Sequence, residues 1–236
     1  MRGLSILMDT LPPTRSSPVL ELKRYFDKKL KLYGPTALGV DWNSQERQEL
    51  CFSQVLKICT SPLNDARSSG FSILDYGCGY GALLLRLKTE GWNFARYIGY
   101  DMSTAMIDAA RKIHSDGDRK VIFTDKDEGL EPADFVVGSG LLSLKLATHT
   151  DTWKAHVIRL MERLWHLSKR GLAFNSLTTY SDRDKMRDDL YYADPCFIFD
   201  YCKRNFSRNV ALLHDYGAYE FTILVRRDEE FRSAGM

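Results

Sequence analysis

Residues 73–83 read Ile-Leu-Asp-Tyr-Gly-Cys-Gly-Tyr-Gly-Ala-Leu, a short apolar strand running into three glycines at every second position and then into a helix. With no Cβ at Gly77, Gly79 and Gly81, the backbone can turn sharply and let a ligand lie against it, which larger residues would block. A strand, a glycine turn and a helix in that order open a βαβ unit, and so point to an α/β sheet.

The next landmark narrows the ligand. Tyr97-Ile98-Gly99-Tyr100-Asp101 is a second apolar run ending in a carboxylate, and Met102-Ser103 follows where a helix can start. An acid at the tip of the second strand of a βαβ unit is placed to accept hydrogen bonds from both ribose hydroxyls of a nucleoside. Dinucleotide-binding turns carry G-x-G-x-x-G, whereas this turn is Asp-x-Gly-x-Gly-x-Gly, with an acid ahead of it. That acid would repel a pyrophosphate but favour, directly or through water, an ammonium group.

On these residues the chain resembles the class I S-adenosylmethionine-dependent methyltransferases, over roughly residues 72–225. The resemblance implies a Rossmann-like seven-stranded, mostly parallel sheet of order 3-2-1-4-5-7-6, with the last strand antiparallel and helices on both faces. It implies S-adenosyl-L-methionine as cofactor and S-adenosyl-L-homocysteine as product. Asp75, Gly77, Cys78, Gly79 and Gly81 then form the cofactor loop, Asp101 holds the ribose, and Met102 packs on adenine. Asp125, with Lys126 beside it, falls where the family often bonds the adenine amino group; the other reading of Asp125 is a solvated turn. Ser139 belongs to the segment after strand four, Gly138-Ser-Gly-Leu-Leu-Ser143. That segment lacks the Asn/Asp-Pro-Pro-aromatic sequence of DNA and protein-amide methyltransferases and is similar to small-molecule enzymes.

Composition bounds the rest. With 236 residues, 44% of them hydrophobic, the chain can bury one sizeable core. A formal charge of +2, from 33 basic and 31 acidic residues, gives no net field to recruit nucleic acid or a membrane surface. Five scattered cysteines fit neither a disulfide framework nor a metal site, no run is long enough to span a membrane, and no histidine has metal-ligand spacing. The expectation is a cytoplasmic monomer or homodimer with a small-molecule substrate and no metal.

Residues 1–18 are expected to be a disordered tail and 229–236 a second tail, flanking a helical cap and linker (19–70) and a core (71–228). Helical spacing of Val19, Leu22, Phe26, Leu30 and Tyr33 predicts an amphipathic helix stopped by Gly34-Pro35. A second helix is expected after Asn43, with Glu46 completing a capping box. Only nine positions separate Asp125 from Asp134, so the crossover helix usual there is very short or missing.

Candidate substrate-side residues are Tyr25, Tyr33 and Trp42 from the cap, and Tyr180, Tyr191, Tyr192 and Tyr216 after strands five and six. Aromatic faces beside Asp194 would suit a planar or cationic molecule. His214 beside Asp215, together with Tyr180 and Tyr192, supplies candidate proton acceptors. Each has a structural alternative: Trp42 can staple two helices, and the tyrosines can wedge a loop. The reading is methyl transfer to N or O of a small, planar or amine-bearing metabolite. Its rivals are a cofactor-binding partner or sensor that methylates nothing, and an RNA or protein methyltransferase.

Overall fold

The computed structural model describes residues 18–61, 64–67 and 70–228. The expected tails, apart from Pro18, and parts of the 62–70 linker lie outside the described residues. A seven-stranded sheet forms the centre: β1 (Phe71–Tyr76), β2 (Phe94–Tyr100), β3 (Val121–Thr124), β4 (Ala133–Gly138), β5 (Ser168–Leu177), β6 (Asn209–Leu213) and β7 (Glu220–Arg226). Their spatial order is 3-2-1-4-5-7-6, with β7 antiparallel to both its neighbours and the remaining pairs parallel. The order reverses between β1 and β4, so a crevice opens at their carboxyl ends.

Among the described residues six α-helices flank or precede the sheet: α1 (Pro18–Tyr33), α2 (Gln45–Val55), α3 (Ala82–Thr89), α4 (Thr104–Ile113), α5 (Thr150–Leu167) and α6 (Pro195–Asn205). The central strands read as continuous apolar runs because both sheet faces are covered. Leu74, Val136, Leu172 and Phe174 face Trp153, Val157, Met161 and Leu164 of α5, whereas Ile73, Phe135, Val137 and Ala173 face α2, α3 and α4. Trp153 is buried, and its indole nitrogen donates to the Leu142 carbonyl at 2.7 Å. At the opposite edge, Asp134 Oδ2 accepts from both the backbone N and Oγ of Ser72 at 2.8 Å, pinning the start of β4 to that of β1.

Sequence signals set most boundaries. Ser103 accepts from Met106 N at 3.1 Å and starts α4, and Asp194 accepts from Cys196 N and starts α6 with Pro195 in the first turn. No helix lies between β3 and β4, as the short spacing requires.

The cap of α2 is a correction. Ser44, not Asn43, is the cap: its backbone is extended (φ −158°, ψ 164°), and its hydroxyl accepts from Arg47 N at 3.2 Å. Glu46 therefore sits one position too early for a capping box. Ser44→Ala is expected to cost about 1 kcal/mol of stability, read by urea unfolding, with Asn43→Ala close to neutral.

Candidate active site

The glycine turn is held by the strand beside it. Gly77 N and Cys78 N both donate to the Tyr100 carbonyl, at 2.7 and 2.9 Å. Gly77 has φ +81°, and a Cβ there would stand 2.1 Å from Leu141 Cδ2, so the turn and the post-β4 loop come together only because position 77 carries no side chain. Gly81 caps α3, and its carbonyl lies 2.9 Å from His114 Nε2.

Asp101 closes the other side. Its Oδ2 accepts from Gly79 N at 3.0 Å and its Oδ1 from Ser103 N at 2.9 Å, leaving further lone pairs on each oxygen. Burial raises its pKa to about 6; the two backbone donors oppose that, while the charge of Asp27 adds to it. Below it, Asp75 is buried and accepts from Tyr97 OH at 2.7 Å. Burial raises Asp75 to about 7 against that hydrogen bond, with Asp101 adding to the rise.

A carboxyl raised in the folded state contributes stability that is complete below its unfolded value and is lost as pH climbs through the folded one. The stability of the wild type relative to Asp75→Asn should therefore decline between about pH 4 and pH 7 and then level off, as read from denaturant unfolding across that range.

Two adjoining chambers open above the strand ends. Of the residues predicted for a cofactor, Asp75, Gly77, Cys78, Gly79, Asp101, Met102 and Ser139 line the first. Gly81 does not line it. Nor do Asp125, which accepts from Thr104 Oγ1 at 2.7 Å, and Lys126, which is exposed. The sequence did not single out Gln48, Tyr76, Tyr80, Tyr100 and His156, which also line it. Burial holds the His156 imidazole below its usual pKa, and burial pushes the Cys78 thiol up, which keeps it protonated.

The first chamber fits a sulfonium nucleoside. Ser139 Oγ is buried there with no hydrogen-bond partner among the described residues, Asp101 offers acceptors, and Met102 and Leu141 offer apolar surface. From α1, Val19, Leu22 and Phe26 form the cover. Ser103 Oγ donates to Asp27 Oδ1, tying α1 to the start of α4.

The second chamber shares Phe26, Val40, Trp42, Gly140 and Leu144 with the first, and its far wall includes Asn175, Leu177, Arg187, Leu190 and Glu220. Trp42, in both linings, is the one predicted substrate-side residue among them. Tyr192 touches that wall indirectly, its hydroxyl accepting from Arg187 N at 3.0 Å. Tyr25 lies against Lys29, Tyr33 is exposed, Tyr191 is buried in the core, and Tyr216 OH pairs with Thr222 Oγ1 at 3.0 Å. Tyr180 is 68% exposed, and its ring lies 5.9 Å from that of the exposed His214, outside both chambers.

Comparison with known proteins turns on the same stretch. A family model described as a methyltransferase domain matches residues 67–167. A Mycobacterium tuberculosis protein named "Putative methyltransferase Rv1506c" is 49% identical over 157 residues, covering 66% of this chain and 93% of that protein. The chain belongs to the class I S-adenosylmethionine-dependent methyltransferases.

Solved members of this class share the fold at low identity. The magnesium protoporphyrin IX methyltransferase of Synechocystis, solved with bound S-adenosylmethionine, superposes with a TM-score of 0.61 at 16% identity, covering 92% of this chain and all of that one. Human N-acetylserotonin methyltransferase gives 0.57 at 18% identity over 92% of this chain and 60% of that one. In this methyltransferase the matched family segment ends at residue 167, so Asn175, Leu177, Arg187, Leu190 and Glu220 of the second chamber lie beyond it. Among the described residues no group of three His, Cys, Asp or Glu is placed to hold a metal ion, and no helix is long and apolar enough to cross a membrane.

Proposed function

We propose that this methyltransferase moves a methyl group from S-adenosylmethionine to N or O of a small, planar or amine-bearing molecule seated in the second chamber. The observation that carries this reading is the adjacency of the two chambers: one is lined by the glycine turn and Asp101, and the other is reached past the shared Trp42, Gly140 and Leu144. Asp101 would accept from the ribose hydroxyls, Ser139 Oγ would gain its missing partner, and Met102 would pack on the base. The bound cofactor supplies an electrophilic methyl on sulfur. The chain's share is to hold donor and acceptor close and aligned and to exclude water.

Two of the structural neighbours carry names that describe methylation of a porphyrin and of N-acetylserotonin, both small acceptors. The test is calorimetry with S-adenosylhomocysteine, followed by mass spectrometry of metabolite extracts incubated with trideuteromethyl-labelled cofactor. Binding with a labelled small product is the expected result. Binding without any methylated product would favour a sensor or partner subunit.

A further inference from the structure

Glu220 begins β7 and is half-buried against α2 at the wall of the second chamber. Its Oε2 accepts from Cys51 Sγ at 2.7 Å, and its other oxygen accepts no hydrogen bond among the described residues. A desolvated carboxylate with an oxygen left over, in the wall of the acceptor chamber, is equipped to take a proton. Burial pushes its carboxyl up from the usual carboxylate value, while the Cys51 hydrogen bond and the charge of Arg47 restrain that rise.

The groups around it are few. Arg47 and Cys51 come from α2, and Tyr216, from the turn before β7, is tied to Thr222. Tyr219 OH donates to Asp182. Across the chamber Asp41 is paired with Lys29 at 2.6 Å, and Arg187 is paired twice with Asp189. Charges there are thus matched, and Arg47 acts on Glu220 itself, an environment that disfavours a fixed cation and accommodates a neutral hydrogen-bond donor.

We infer that Glu220 is the catalytic base of this enzyme and that its acceptor is a neutral hydroxyl compound, which narrows the N-or-O reading and rests on the proposed function. The hydroxyl proton passes to Glu220, the freed oxygen pair bonds the methyl carbon, and the carbon–sulfur pair stays on sulfur. One negative and one positive charge vanish together, so the step balances without a further reactant.

The experiment uses the full chain saturated with S-adenosylhomocysteine and three near-isosteric probes followed by fluorine NMR: 4-fluorophenol, 4-fluoroaniline and 4-fluoroanisole. The wild type should bind the phenol about tenfold more tightly than the anisole, which has no proton to give, and Glu220→Gln should erase that preference. Glu220 lies outside the first chamber, so Glu220→Gln should keep its affinity for S-adenosylhomocysteine within about twofold. Failure of the wild type to bind S-adenosylhomocysteine overturns the cofactor reading and this inference with it. A phenol preference that is absent, or retained in Glu220→Gln, overturns the inference alone, and aniline binding as tight as phenol overturns the hydroxyl assignment.

Cys51→Ala serves if Glu220→Gln does not fold. Phenol affinity should rise with pH as Glu220 ionises, and losing the thiol donor should move that rise to higher pH. An unmoved rise overturns the role given to Glu220.

Discussion

Asp101→Ala is expected to weaken S-adenosylhomocysteine binding by at least about 2 kcal/mol, roughly 30-fold, through the loss of two charge-assisted hydrogen bonds to the ribose. The same carboxylate already accepts from Gly79 N and Ser103 N, so the variant also frees two backbone donors and loosens the turn. Two readouts separate these effects: calorimetry gives the affinity, and thermal unfolding without ligand gives the cost to the fold. The pH dependence supplies a signature of its own. Asp101 ionises at about 6, and the ionised form is the better acceptor, so affinity should fall as pH drops from about 8 through 6. Binding near pH 6 should release protons, detectable as a dependence of the binding heat on buffer ionisation. Affinity independent of pH across that range would remove Asp101 from the ribose site.

Gly77→Ala is expected to damage both the fold and the first chamber. A non-glycine residue at φ +81° costs on the order of 1–3 kcal/mol, and the new methyl would overlap Leu141 Cδ2. Leu141 lines the first chamber, so its displacement should weaken S-adenosylhomocysteine by about tenfold or more. The double variant Gly77→Ala with Leu141→Ala distinguishes the two causes, because it relieves the overlap and leaves the backbone strain. Stability should stay low in the double variant while part of the affinity returns, read by denaturant unfolding and calorimetry respectively. Full recovery of stability in the double variant would mean that the turn tolerates a side chain and that crowding alone matters.

What could be read from the residues beforehand was what local sequence determines. The strand–glycine–helix turn and the acid at 101 are fixed by neighbours a few positions away, and strand runs buried on both faces advertise a covered sheet. The cap of α2 is one residue later than the sequence suggests because Asn43 and Ser44 are both good caps, and only the hydrogen bond that Ser44 accepts from Arg47 N singles it out. Asp125 has the expected position after β3, yet the hydroxyl of Thr104 engages it, a contact that α4 delivers across 21 positions. Glu220 and Gln48 carried no signal at all. Each looks like an ordinary polar residue until the packing of α2 against β5 and β7 brings it to a chamber wall. His156 has no metal-ligand spacing to mark it in the sequence, and only the placement of α5 brings it to the first chamber.

The position of β7 has a consequence for how the molecule is made. β5 and β6 never pair with each other; β7, the later of the three to leave the ribosome, fills the gap between them. Until residue 226 has emerged, residues 171–177 of β5 present an open ladder of backbone donors and acceptors, and β6 has no partner. Nascent chains halted before 220 should therefore be substrates for chaperones and prone to intermolecular pairing, even with the glycine turn and Asp101 already synthesised.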